Sequence, residues 1–215
     1  MNKLIIIGAS GFGREIAWLA ERVNKEKPQW EILGFLDDNE VLKDQVVGGY
    51  PVLGGVANAV KYPEAYYVCA IGSARVREKI ITKLGELLSE PHYATLIDPT
   101  VQMSDRIEIG EGSMICAGNI LTVDITLGKH TIINLDCTVG HDAVVGDFVT
   151  FYPSVNLSGI TTVGACTELG TGSHIIQGIH IGSHSVIGAG AVVVKDIPDK
   201  CTAVGAPAKP IKFFD

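Results

Sequence analysis

From Ile97 onward the apolar positions recur every six residues. Stepping by six passes through Met103, Ile109, Ile115, Leu121, Leu127, Ile133, Val139, Val145, Phe151, Leu157, Val163, Leu169, Ile175, Ile181, Ile187 and Val193, with no insertion or deletion. Glycine often follows directly, at Gly110, Gly128, Gly140, Gly146, Gly164, Gly170, Gly182 and Gly188. This period matches neither the alternation of an open strand nor the helical repeat. It suits one side of a triangular prism, a short strand plus a turn, with the apolar residue inward and the small residue at the corner. Three hexads close one coil, so residues eighteen apart are expected to stack, and Ile97 to Val193 gives a little over five coils. The reading is a parallel β-helix of hexapeptide repeats; a β-sandwich would show alternation and variable loops instead.

Before residue 95 the pattern alternates strand and helix. Leu4 to Ile7 reads as a buried parallel strand, followed by Gly8-Ala9-Ser10-Gly11-Phe12-Gly13. Ile16, Ala17, Leu19, Ala20 and Val23 then fall at helical spacing over Arg14 to Val23. A second strand, Ile32 to Leu36, ends in Asp37-Asp38; a third, Tyr66 to Ile71, ends in Gly72-Ser73. A second helix follows with Val76, Ile80, Ile81 and Leu84. The expected fold class is therefore α/β plus all-β: a small Rossmann-like parallel domain over 1–94, then the β-helix and a C-terminal tail over 95–215.

The first domain's glycines follow a strand and open a helix, where backbone N–H groups meet a phosphate. Their G-x-x-G-x-G spacing is not the dinucleotide fingerprint, which argues against a nicotinamide oxidoreductase. Asp37 and Asp38 suit a ribose or a base edge, and two acids there repel a 2′-phosphate. The loop also lacks the Arg and Thr that a nucleotidyltransferase would need for a triphosphate. A formal charge of −7 over 215 residues argues against nucleic acid as partner without excluding a small phosphorylated ligand. Five cysteines with no C-x-x-C pair point to free thiols in a reducing compartment. The apolar run at the N-terminus is too short for a signal peptide, and none is long enough to insert in a membrane, so a cytoplasmic protein is expected.

Among the six histidines, only His141 is followed directly by a carboxylate, Asp142, which can orient the imidazole and stabilise its protonated form. It lies two residues after an inward position, where a side chain can project from a corner. One coil further stands Gly159, whose N–H would suit an oxyanion, or which merely relieves a corner. A carbonic-anhydrase-like zinc site on the same prism needs three histidines, but Val123 and Gly159 occupy the stacked positions, so no metal is expected. Cys137, four residues earlier, is a conceivable covalent carrier, although no spacing brings it to His141. His174 and His180 fall on outward strand positions and suit solvent or subunit contacts.

The whole chain resembles the sialic-acid O-acetyltransferase family, which also contains N-acetyltransferases acting on nucleotide-linked 4-amino sugars. The likeness runs through Gly8 to Gly13, Phe35-Leu36-Asp37-Asp38, Ala70-Ile71-Gly72-Ser73, Asn134 to Phe148, Ile187 to Val193 and Val204 to Lys209. The resemblance implies a left-handed winding and a homotrimer with active sites between neighbouring prisms. It further implies acetyl-CoA as co-substrate, with its tail near Gly205 to Lys209. In the family pattern His141 is the general base and Asp142, often Glu in relatives, tunes it. Thr171 and Ala189 match positions lining the pantetheine arm; Thr150 stands where some relatives place a histidine near the thioester, and Gly159 borders the same group. Ser10, Gly11, Phe12, Asp37, Asp38, Gly72 and Arg75 match positions that grip the nucleotide of an activated sugar. The implied activity is N-acetylation of a nucleotide-linked amino sugar in bacterial surface-polysaccharide or glycan biosynthesis. O-acetylation of sialic acid or another sugar hydroxyl is the alternative, and a non-catalytic nucleotide-binding β-helix is the alternative of another class.

Overall fold

The computed structural model describes residues 1–214. The first domain contains β1 (Asn2–Ile7), α1 (Gly11–Glu26), β2 (Trp30–Leu36), a small hairpin of β3 (Val46–Val47) and β4 (Tyr50–Pro51), β5 (Tyr66–Cys69), α2 (Ala74–Leu87) and β6 (His92–Tyr93). The order β2-β1-β5-β6 is parallel throughout, so the loops after β1, β2 and β5 emerge along one edge. Leu4, Ile5, Ile6 and Ile7 are all buried because helices and loops cover both faces of this sheet, which explains their unbroken apolar run. Both helices extend two or three residues beyond the apolar stripe at each end. The β3–β4 hairpin carries too few apolar residues to leave a periodic signal. One apolar position was misjudged: Val76 is exposed, and the buried stripe of α2 is Ala74, Arg77, Ile81 and Leu84.

The first prism strand, Leu96–Ile97, begins three residues after β6. Each later strand pairs in parallel with the strand eighteen residues away, as in Met114↔Ile132, Thr138↔Asn156 and His174↔Val192. The first face runs from Leu96–Ile97 to Val186–Ile187 and continues into Cys201–Val204 and the antiparallel Lys209–Phe213. The second face runs from Gln102–Met103 to Val192–Val193, the third from Ile107–Ile109 to His180–Ile181. From Ile115 to Val193 every sixth residue is buried, whereas Ile97, Met103 and Ile109 form the partly open end of the prism.

The corners have a different cause from the one expected. The residue that turns the chain stands three positions after the inward one, and it adopts a left-handed φ at every sixth position from Gly112 to Gly190. Asp124, His130, Asp136, Asp142, Phe148, Ser154, Ile160, Cys166 and His184 do so despite carrying side chains. Closure of the coil imposes a conformation that costs an L-residue ~1 kcal/mol or more. The glycine beside the inward residue serves close approach between coils: a Cβ on Gly140 would lie 2.4 Å from the Gly159 nitrogen. A second small or apolar residue, such as Ala143, Val149 or Thr161, fills the corner from inside.

The two domains share one core and one polar staple. Leu96, Met114, Cys116 and Ile132 pack with Leu4, Ile6, Ile16 and Leu19. Arg77 of α2 is fully buried and forms no ion pair with a carboxylate among the described residues. Its Nε donates to the His130 carbonyl at 2.9 Å, its Nη1 to Ile71 at 2.6 Å, and its Nη2 to the Phe148 carbonyl at 2.7 Å and the Thr150 hydroxyl at 2.9 Å. Burial lowers its pKa to about 10, still charged at neutral pH. Glu168 of the prism caps α2 from outside, accepting from the Ala74 N–H at 2.9 Å, while Ser73 supplies no side-chain cap. Arg22 of α1 grips Asp98 with two nitrogens.

Replacing Arg77 by Met leaves buried carbonyls without donors. The expected cost is at least ~3 kcal/mol, a fall in Tm of roughly 10 °C, with Arg77→Lys intermediate because it carries fewer donors. Thermal unfolding of the three proteins side by side checks this, and an unchanged Tm in Arg77→Met would refute the staple.

His130 supplies a pH dependence. Its ring lies 4.5 Å from Tyr93 edge-on and stacks at 5.1 Å on Phe148, and burial pushes its pKa down to about 4. The unfolded chain therefore binds this proton more readily than the folded one. Stability is fully present above pH ~6.5 and is lost as pH falls toward 4, by ~3 kcal/mol in total. In denaturant titrations at pH 7, 5.5 and 4, His130→Asn, which tolerates the left-handed φ, should lose this component of the pH slope. An identical slope in both proteins would show that His130 is not its source.

Candidate active site

His141 stands on the edge between the second and third faces. Thr138–Val139 ends the strand, Gly140 lets the next coil pass, and Asp142 takes the left-handed turn with φ 59°. That turn brings the Asp142 carboxylate back toward the preceding ring, with Nδ1 and Oδ2 2.7 Å apart. The shorter acid therefore reaches the imidazole from the corner. A carboxylate on Nδ1 selects the tautomer with its proton there and leaves Nε2 with the lone pair. Both side chains are about half exposed, 49% and 57%.

Gly159 lies directly beneath this ring. A Cβ there would stand 2.6 Å from Nε2 and 2.7 Å from Cε1 of His141, so the imidazole occupies the space a side chain would fill. Gly159 is buried, its carbonyl accepts from the Gly178 N–H at 3.0 Å, and its own N–H has no acceptor among the described residues. Ile160, Ile176 and Val194 are exposed apolar residues along the same edge.

The first-domain residues gather at the carboxyl ends of β1, β2 and β5. Gly8 takes φ 100° as the chain leaves β1, and α1 opens at Gly11 with Ser10 exposed and Phe12 partly buried. Asp37 accepts from the Ala9 N–H and from the Asn39 N–H, each at 2.8 Å, so it binds the first two loops together. Asp38 accepts from the Val56 N–H at 2.7 Å and faces Lys83 across 3.4 Å. A cleft lined by Gly8, Asp37, Asp38, Ile71 and Ile80 lies between them. Gly72 lies between β5 and α2, where a Cβ would stand 3.4 Å from the Tyr152 hydroxyl of the prism.

Two expected contacts lie elsewhere. Arg75 donates to the His184 carbonyl at 2.8 Å and rests over the Phe214 ring at 4.4 Å, turned toward the prism and not toward the Asp37–Asp38 cleft. Thr150 is buried beneath the first domain: its hydroxyl donates to the Gly72 carbonyl at 2.7 Å and accepts from Arg77. It is closed off from solvent. Cys137 faces the prism core, its Sγ donating to the Tyr152 carbonyl at 3.3 Å, and burial pushes its pKa up to about 11, so it is no acyl carrier.

Thr171 and Ala189 are exposed, but on the edge between the first and second faces. Within one chain the second face separates them from His141. The residues overlooked in the sequence are Arg77, Tyr152 and Glu168. Arg77 had a signal, a charge at position 77 in a stripe otherwise formed by Ala74, Ile81 and Leu84. Tyr152 and Glu168 had none, because nothing local tells which prism face is covered.

Comparison with known proteins places this geometry. Residues 3–84 match the family model described as the PglD N-terminal domain. The chain is 31% identical over 220 residues to GDP-perosamine N-acetyltransferase of Escherichia coli O157:H7, covering 99% of this chain and 97% of that one. Among solved structures it superposes with TM-score 0.87 on a histidine-to-asparagine variant of perosamine N-acetyltransferase from Caulobacter crescentus in complex with CoA and GDP-perosamine, at 27% identity over 99% and 98% of the two chains. It superposes with TM-score 0.86 on the acetyltransferase domain of PglB from Neisseria gonorrhoeae in complex with acetyl coenzyme A, at 32% identity over 98% and 100%. With the prism thereby assigned to the left-handed β-helix class, the chain belongs to the family of sialic-acid O-acetyltransferases and nucleotide-amino-sugar N-acetyltransferases, and is an acetyltransferase of the hexapeptide-repeat type.

Proposed function

We propose that this chain transfers the acetyl group of acetyl-CoA to the amino group of a nucleotide-linked amino sugar, with His141 as general base. The observation that carries the reading is the Asp142–His141 pair held above Gly159 on an open prism edge. It joins the full-length likeness to an enzyme named for N-acetylation of GDP-perosamine. The first domain holds the nucleotide at the carboxyl ends of its strands, with the α1 N-terminus and the Ser10-Gly11-Phe12 loop toward the phosphates and Asp38 toward the nucleoside.

The amine nitrogen attacks the thioester carbon, and Nε2 of His141 removes the proton it sheds. Negative charge develops on the former carbonyl oxygen, which accepts from the unengaged N–H of Gly159. Collapse breaks the carbon–sulfur bond, and the imidazolium returns its proton to the departing CoA thiolate. Asp142 holds the ring and stabilises its charged form. Because Thr171 and Ala189 sit across the second face from His141, the pantetheine arm and the base meet only if a neighbouring copy supplies one of them. That arrangement accords with a homotrimer having its sites between prisms, and the exposed Ile160, Ile176 and Val194 would be covered there.

Thiol release from acetyl-CoA, measured with UDP-, GDP- and CMP-linked amino sugars and with free sialic acid, tests the proposal. Turnover is expected with a nucleotide-linked amino sugar and should fall ~10²- to 10⁴-fold in His141→Ala. An undiminished rate in that variant sinks the assigned base, and turnover with sialic acid alone moves the activity to oxygen. Gly159→Ala separates geometry from folding. Its methyl displaces the half-exposed His141 ring and no backbone, so Tm should stay within a few degrees while kcat/KM drops on the order of 10²-fold. Wild-type activity in Gly159→Ala would show that the ring position over this glycine is irrelevant.

A further inference from the structure

Opposite the His141 edge, where the third face turns into the first, a second cluster lies at the domain junction. Cys166 and His184 are eighteen residues apart and both occupy the left-handed corner position, so they stack on consecutive coils. Glu78, adjacent to Arg77 on α2, reaches them from the first domain. A carboxylate oxygen, the Cys166 sulfur and a His184 ring nitrogen all lie within 4.8 Å of one another.

We propose that Glu78, Cys166 and His184 form a binding site for a zinc-type divalent cation that bridges the two domains. The donor set is one oxygen, one sulfur and one nitrogen. Sulfur and imidazole select against magnesium and calcium, which take oxygen cages. Zinc bonds of about 2.0 to 2.3 Å place tetrahedral neighbours roughly 3.3 to 3.8 Å apart, so the three donors need to close by about 1.5 Å at most. The backbone under them is already held: the His184 carbonyl accepts from Arg75 at 2.8 Å, the His184 N–H donates to Ala165 at 2.9 Å and the Cys166 N–H to Asp147 at 2.9 Å.

Charge and access agree with this reading. A thiolate and a carboxylate balance a dication, and coordination releases the thiol proton to solvent. Cys166 is buried, whereas Glu78 and His184 are half-buried and face a recess also lined by Arg75, Lys79 and Lys200. The recess opens the fourth coordination position to water or a small anion, and the three cations around it favour the anion. The acetyl-transfer chemistry proposed above needs none of this, since His141 lies on another edge.

The test starts from full-length protein stripped with a chelator and dialysed, then titrated with Zn²⁺ or Co²⁺ alone. Expected are one ion per chain, a thiolate-to-cobalt charge-transfer band, and a Tm raised by Zn²⁺. Cys166→Ser should abolish the band, and His184→Gln and Glu78→Gln should each weaken binding at least ~10-fold. Should Cys166→Ser fold poorly, the partly exposed His184→Gln and Glu78→Gln carry the comparison. Failure to bind either ion stoichiometrically, or equal binding by His184→Gln, overturns the proposal.

Discussion

The buried guanidinium of Arg77 is the constraint on which the assembly of this molecule depends. A charge with no carboxylate in hydrogen-bond contact is stable in the interior only if its donors find oxygens. Here those oxygens come from three separate places: the loop after β5, the corner at His130, and the strand start at Phe148 to Thr150. Satisfying them fixes the distance and angle between α2 and the prism. The loop of Ile71 and Gly72, which borders the Asp37–Asp38 cleft, is held by the same side chain that holds the prism. Glu168 adds a second tie by completing the amide end of α2 from the other domain.

This staple divides what the sequence disclosed from what it did not. The prism was legible because its constraint is periodic. One inward residue per hexad, carried from Ile97 to Val193, leaves only a coil closing every eighteen residues. The parallel sheet was legible for a similar reason, since Leu4 to Ile7 must be covered on both faces. His141 and Asp142 could be singled out because their interaction is between neighbours in the chain. The contacts of Thr150, Arg75, Tyr152 and Glu168 depend on which prism face the first domain covers. No local pattern encodes that choice, and so nothing in the sequence around Thr150 announces that it lies under a domain. The hexad glycines suit the corners by size, yet the turns are made two residues later, at nine of the corners by side-chain-bearing residues in a left-handed conformation.

The site itself shows how a rigid repeat orients an imidazole. Corner closure forces Asp142 into its unusual φ, and that φ aims the carboxylate at the ring before it. The absence of a side chain on the next coil gives the ring a flat floor with an N–H in it. Neither part requires a mobile loop, so the orientation of His141 is set by the same closure that sets the fold. What one chain does not bring together is the His141 ring and the exposed positions at Thr171 and Ala189, which lie along different edges of one rod.

The stacking of residues eighteen apart also limits how such a chain can change length. Adding eighteen residues at a corner inserts one storey, and every residue beyond it keeps its edge and its face. Adding six turns everything downstream by roughly a third of a revolution. Six residues added between His130 and His141 would move the column of His141 and Gly159 to a neighbouring edge, and would carry Phe148 and Thr150 away from the Arg77 guanidinium while His130 stayed where it was. Growth of this rod is therefore counted in whole storeys, because a shorter insertion redirects the His141 column and pulls the contact between the domains apart.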